Sequence, residues 1–145
     1  MYSHITVGTS QMNRAMRFYD AVLAPLGMKR RRTFKIAISY APEDFSGVNE
    51  PFWVVRPYDK KDATPGNGVT VAFEASTREA VDAFHVAALA AGATDEGPPG
   101  IREHYHPNYY GAYVRDLDGN KLCVVCHKPA VAVATSRSLD TSRNL

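Results

Sequence analysis

Only two of the 145 residues are cysteine, Cys123 and Cys126, and one is tryptophan, Trp53. That excludes the disulfide framework of a small secreted domain and leads us to expect a reduced compartment. Charge of one sign is also missing: 17 Lys and Arg against 15 Asp and Glu leave +2, too weak a field to make nucleic acid or an anionic membrane an expected partner. No apolar run approaches the roughly 20 residues that cross a bilayer. The opening MYSHITVGTS has neither the basic leader nor the apolar core of a signal peptide, so a cytoplasmic protein acting on a small molecule or another protein is expected. Phosphate-binding glycine loops, zinc-binding helices and serine elbows do not occur in the sequence.

What is present is a repeat. Ser3 to Ser10 alternates, with Ile5 and Val7 on one face and His4 and Thr6 on the other, the period of a half-buried strand. Ser10 is placed to cap a helix over Gln11 to Leu26, with Met12, Ala15, Met16, Tyr19, Val22, Leu23 and Leu26 as its apolar stripe and Gly27 as its stop. Val69 to Ser76 repeats the strand; Ser76 with Glu79 reads as a capping box, followed by the stripe Ala80, Val81, Phe84, Ala87, Ala88, Ala91 and by Gly92. An offset of 66 residues superposes the two units. Strands are then expected at Arg32 to Tyr40, Phe52 to Pro57, Tyr109 to Arg115 and Lys121 to His127, with short pieces at Met28 to Arg31 and Ala93 to Glu96. Asp118-Gly119 reads as a two-residue hairpin turn. Residues 1–128 are expected to form one domain of two strand-helix-three-strand modules, about 2–60 and 66–128, because neither half alone buries its sheet well. From Pro129 to the end the residues are small and polar, and a mobile tail over 129–145 is expected.

The duplicated unit, with FYDAVLAPLG in its first helix and YYGAYVRDLDGNKLCVVCHKP near the end, resembles the vicinal oxygen chelate superfamily of glyoxalases, extradiol dioxygenases and bleomycin resistance proteins over about residues 2 to 129. The resemblance implies an α+β fold of two βαβββ modules forming a half-open mixed β-barrel around a cavity, helices outside. It does not fix the chemistry, since function resides in the site. It also implies four metal-ligand positions, which fall on His4, Trp53, Thr70 and Cys123. His4 is a proper ligand, Thr70 a weak one and Trp53 none, whereas a catalytic zinc takes three protein ligands plus water. No cofactor is therefore expected; the alternative is zinc, iron, manganese or nickel held by His4 and Cys123 with a third ligand from a loop or another subunit.

Cys123 and Cys126, three apart in a strand, should face opposite ways, which argues against a redox pair. Cys123 with His4 as base is the candidate catalytic couple. His104 and His106, two apart in extended chain, would point the same way, and with Tyr109 and Tyr110 they make an aromatic, histidine-rich loop, which the resemblance places beside the cavity mouth. Arg56 and Arg115 sit at strand ends, where a guanidinium could fork onto an anion. The basic run Lys29 to Arg32 reads as edge-strand charge, and Asp116 to Gly119 as a turn lacking the remaining acids of a calcium loop.

The expected function is a metal-free small-molecule binder with Thr6, Trp53, Arg56, Thr70, His104, His106, Tyr110 and Tyr113 as ligand contacts, beside His4 and Cys123. One alternative is a glyoxalase- or dioxygenase-like enzyme with an altered His4/Cys123 metal shell, or a metal-free isomerase using His4 as base. Another is an interaction module with a vestigial cavity. A homodimer is expected from the family.

Overall fold

Alternation in the two repeat strands and 3.6-residue periodicity in the segments that follow produce the same local structure twice. The computed structural model describes residues 1–131; of the expected tail, positions 132–145 lie outside the described residues. The first module runs β1 (Ile5–Gly8), α1 (Met12–Leu23), a short 3-10 turn (Ala24–Leu26), β2 (Met28–Thr33), β3 (Ala37–Pro42) and β4 (Phe52–Val55). The second runs β5 (Val71–Glu74), α2 (Arg78–Ala90), β6 (Thr94–Ile101), β7 (Tyr110–Arg115) and β8 (Lys121–Cys126). The 66-residue offset carries β1 onto β5 and the start of α1 onto that of α2.

Each module is a four-stranded mixed sheet, ordered β1-β4-β3-β2 and β5-β8-β7-β6. Within each, the first strand lies parallel to the last. Residues alternate across the pleat, so Val7, Phe52, Val54, Ile38 and Tyr40 of the first sheet and Val71, Val114, Leu122, Val124 and Cys126 of the second face the helices. They join Phe18, Tyr19, Val22, Val81 and Phe84 in one shared core. Aromatic contacts run through it continuously, from Tyr19 to Phe52 (5.3 Å), Phe52 to Phe73 (5.0 Å, edge-on) and Phe73 to Phe84 (6.5 Å). The sheets share this helix side and do not close on each other into a barrel. The other face of each is left open, with Thr6, Arg32, Ala72 and Glu74 exposed on it.

The β7–β8 turn ties the modules together. It is a five-residue loop, Asp116 to Asn120, rather than the expected two-residue hairpin, and Gly119 supplies its left-handed φ of 87°. Asp118 accepts from Thr9 Oγ1 (2.6 Å) and from the Ser10 backbone N–H (2.9 Å), the Asn120 amide donates to the Gly8 carbonyl (2.9 Å), and the Arg14 guanidinium donates to the Leu117 carbonyl (3.0 Å). Buried Tyr19 donates to the Asp116 carboxylate, which also accepts from the backbone N–H groups of Asp118 and Asn120 and from the Asn120 side chain.

Several boundaries differ from expectation. Ser10 does not cap α1; its hydroxyl accepts from Ala63 N–H instead, and the Asp118 carboxylate serves that end of the helix from another module. Thr77, not Ser76, caps α2, accepting from Ala80 N–H at 3.1 Å. Pro25 ends α1 early by turning its last residues 3-10. The turn between β2 and β3 falls at Phe34 to Ile36, so the expected strand Arg32 to Tyr40 is two strands. β5 begins at Val71, leaving Val69 and Thr70 before it, and β6 runs on to Ile101 past Gly97-Pro98-Pro99-Gly100, with register shifts around the glycines.

Candidate functional sites on the two open sheet faces

On the first sheet, the register places Thr6 opposite Trp53, Trp53 opposite Ser39 and Ser39 opposite Arg32, in one row across the open face. The Arg32 guanidinium lies over the Trp53 ring, 5.8 Å from its centroid. Its Nε donates to Glu50 Oε1 (3.1 Å) and its Nη2 to the Val48 carbonyl (3.0 Å), while the Trp53 indole N–H donates to the Glu50 carbonyl (2.9 Å). Glu50 is only 6% exposed, and its second oxygen, Oε2, is buried with no hydrogen-bond partner among the described residues. Beside it, the Asn49 side-chain amide donates to His4 Nδ1 at 2.8 Å. A ring that accepts at Nδ1 carries its proton on Nε2 when neutral, so His4 presents an N–H donor and no free lone pair. Arg56 lies past the end of β4, in an apolar cavity of about 430 Å³ with Ile36, Ala37, Val55, Pro57 and Tyr58.

On the second sheet, Ala72, Cys123, Tyr113 and Gly97 form the equivalent row. Tyr109 shares a hydrogen bond with the Tyr113 hydroxyl at 2.8 Å and lies 3.5 Å from Cys123 Sγ. Burial, together with these contacts, pushes the Tyr109 phenol well above its ordinary pKa, and burial also raises that of Tyr113. The Arg102 guanidinium and the Lys121 ammonium lie 5.7 and 5.5 Å from the Tyr113 centroid. The Asn108 backbone N–H donates to His106 Nδ1 (3.1 Å), so neutral His106 carries its proton on Nε2 and donates it to His127 Nδ1 (2.7 Å). His104 stacks on Tyr105, and Tyr105 on Tyr109.

The structure thus divides the expected site residues between two surfaces. His4, Thr6 and Trp53 stand with the first sheet; Cys123, Tyr113 and His106 with the second; Thr70 precedes β5. The segment holding His104 and His106 is turned rather than extended, through bonds from Tyr105 N–H to Arg102 and from Tyr109 N–H to His106, so the two imidazoles go to different partners. Tyr110 lies on the helix side and donates to Asp82 on α2 (2.6 Å), a bond that helps push its phenol up to about 12. Cys123 and Cys126 are both free and 1% exposed; Cys126 joins the core and Cys123 contacts Tyr109 on the opposite face. Arg115 forms an ion pair with Glu96. Several residues of these surfaces carried no site signal in the sequence, among them Asn49, Glu50, Arg102, Lys121 and His127, and Arg32 reads there only as edge charge. Only the register and the side-chain partners reveal them.

The strand registers confirm that Trp53 and Cys123 are equivalent positions, each opposite the third residue of the segment that starts at His4 or Thr70. As a metal site, the four positions do not fit. Trp53 offers only an N–H, already donated; His4 accepts a hydrogen bond at Nδ1, the tautomer opposite to Nε2 ligation; and among the described residues no three of His, Cys, Asp and Glu gather as ligands. Among the described residues, too, no helix is long and apolar enough to cross a membrane.

Comparison with known proteins agrees with this architecture. The family model described as Glyoxalase/Bleomycin resistance protein/Dioxygenase superfamily matches residues 2–124. A glyoxalase/bleomycin resistance protein from Albidiferax ferrireducens T118 is 38% identical, with 89% of this chain and 99% of that one covered and a TM-score of 0.76. The fosfomycin resistance protein FosX from Mesorhizobium loti shares the fold at 16% identity, with 88% and 92% covered and a TM-score of 0.60. No curated protein matches the chain.

Proposed function

The chain belongs to the glyoxalase/bleomycin resistance protein/dioxygenase superfamily, and from that premise we propose that it binds a small molecule on its open sheet faces without the family's metal. The observation that carries this reading is an aromatic ring beneath a cation on each face, Trp53 under Arg32 and Tyr113 under Arg102 and Lys121. Rings of this kind stack on a flat or apolar ligand, and the polar groups around them select one polar or anionic handle. His4 then acts as a donor to the ligand, alongside Thr6, Arg56 and the Tyr109–Tyr113 pair.

Thr6, Arg32, Ala72 and Glu74 are exposed on the two faces, and a homodimer that opposes the two faces would enclose the ligand between them. The test is native mass spectrometry and light scattering of the purified protein, followed by ligand titrations of Trp53→Ala and Tyr113→Ala. We expect a dimer carrying or accepting a small organic ligand, substoichiometric metal unchanged in His4→Ala and Cys123→Ser, and binding weakened roughly tenfold, about 1.4 kcal/mol, in each aromatic variant. A monomer with no titratable ligand overturns the reading.

A further inference from the structure

Glu50 combines three properties that do not arise together in an ordinary surface acid. Its side chain is 8% exposed, its Oε1 is held by Arg32 through a single Nε–H bond, and its Oε2, although buried, has no partner among the described residues. An unsatisfied buried acceptor costs roughly 1–3 kcal/mol, more for a charged group. Arg32 could answer both oxygens with a two-bond fork, the strong geometry for a guanidinium on a carboxylate. Instead its Nη2 donates to the Val48 carbonyl, and the rest of the group lies over Trp53. The Arg32 side chain is also 45% exposed and sits on β2, at the edge of its sheet, so it can swing into water without disturbing the core. One such movement uncovers the Glu50 carboxylate and the Trp53 ring face together.

We propose that Arg32 is an internal placeholder in a subsite for a planar cation with forked N–H donors, a guanidinium or amidinium group. Such a ligand takes the Arg32 position on the Trp53 ring and donates to both Glu50 oxygens. This rests on the small-molecule-binding reading above and narrows its handle on the first sheet from polar or anionic to a hydrogen-bond-donating cation. The neighbouring His4 Nε2–H and Thr6 hydroxyl would then meet acceptors elsewhere on the ligand.

The probes are benzamidine and benzoate, which have nearly the same shape but opposite charge and opposite hydrogen-bonding sense. Trp53 is the chain's single tryptophan, so its indole N–H gives one isolated cross-peak in a proton–nitrogen correlation spectrum. Benzamidine is expected to shift that peak saturably and benzoate to leave it in place. Glu50→Gln, checked for an intact spectrum, should weaken benzamidine at least tenfold, and Glu50→Asp, which keeps the charge but withdraws the oxygens, should weaken it as well. Arg32→Ala, with the placeholder gone, should bind benzamidine several-fold more tightly and be stabilised by it against heat.

A shift with benzoate and not with benzamidine overturns this proposal and leaves the binding reading standing with an anionic handle. Silence with both overturns this proposal alone; the binding reading falls only if the mass-spectrometric and titration experiments above also find no ligand. Equal benzamidine affinity in wild type and Glu50→Gln, or weaker affinity in Arg32→Ala, also overturns the placeholder.

Discussion

The two modules use one backbone plan with different polar contents on their open faces. Trp53 and Cys123 occupy equivalent places in the strand registers, as do Thr6 and Ala72. On the second sheet the polar groups are turned on one another: Tyr109 on Tyr113 and Cys123, His106 on His127 and the Asn108 N–H, Arg102 on the carbonyls of Gly100 and Pro98. On the first, the Glu50 carboxylate keeps one oxygen unpartnered, and His4 uses only its Nδ1 side. Equivalent positions in a repeat therefore need not share a role. One face is stiffened by its own network, and the other holds hydrogen-bonding capacity in reserve.

The comparison is broken most severely at the turn both modules depend on. Every partner of the Asp116 carboxylate is a donor: the Tyr19 hydroxyl, two backbone N–H groups and the Asn120 amide. Asp116→Asn sets an NH₂ group against those donors and should cost about 2 kcal/mol in denaturant unfolding. The same residue gives a pH signature. Burial raises its pKa, outweighing the donors that lower it, so the folded state releases this proton at higher pH than the unfolded chain. Its contribution to stability is then complete below the unfolded carboxyl value of about 3.9 and falls as pH rises through the folded one. In Asp116→Asn that decline should vanish from the stability profile. An unchanged midpoint and an unchanged profile would show that the turn does not clamp the modules.

A smaller effect tests the closed network of the second sheet. Tyr109→Phe keeps the ring that stacks on Tyr105 but deletes the hydroxyl bonded to Tyr113 and near Cys123. A loss of about 1 kcal/mol is expected, the usual net value of a neutral hydrogen bond. Thiol-reagent kinetics sharpen the point, because Cys123 and Cys126 are each 1% exposed. In wild type both should react only as fast as the protein unfolds. In Tyr109→Phe, Cys123 should react sooner than Cys126, which stays in the core. Equal rates would mean that the hydroxyl does not hold the cover over the thiol.

How much of this could be read from the sequence depended on whether the signal was local. Alternation over Ile5 to Gly8 and Val71 to Glu74 and the stripes of α1 and α2 are properties of neighbouring residues, and the 66-residue offset follows from them. Pairing Trp53 with Cys123 through Val54-Val55 and Val124-Val125 was legible for the same reason. The β2–β3 turn was not, because Thr33 to Ile36 contains no glycine, proline or asparagine to mark it. β6 hid behind the opposite problem: Pro98 and Pro99 punctuate a strand that tolerates them because it lies at the sheet edge. The caps moved because Ser10 has a partner in Ala63 and the α1 terminus has one in Asp118, both far away in sequence. Periodicity also says which residues share a face, but not whether the opposite face of the sheet is closed by its own chain. The candidate site residues could therefore be named singly, while their division between two surfaces could not. Glu50 is the extreme case, since nothing in Val48-Asn49-Glu50-Pro51 distinguishes a buried acceptor from a solvated one.

The smallest expected stability change belongs to the same residue. Glu50→Gln keeps an oxygen for the Arg32 Nε–H and replaces the unpartnered acceptor with an unpartnered donor, so one unsatisfied group stands in for another. What is lost is the charge on a pair whose arginine is 45% exposed, and solvent screening holds that loss below about 1 kcal/mol. The expected unfolding midpoint is therefore close to wild type and above that of Tyr109→Phe, even though Glu50 is buried and Tyr109 only partly so. A buried carboxylate that contributes little to the fold, on a sheet face whose counterpart ties its tyrosines and His106 into a network of their own, is the pattern expected of a binding residue. If Glu50→Gln instead unfolds the protein by several kcal/mol, Glu50 serves the fold, and the contrast between the two faces reverses.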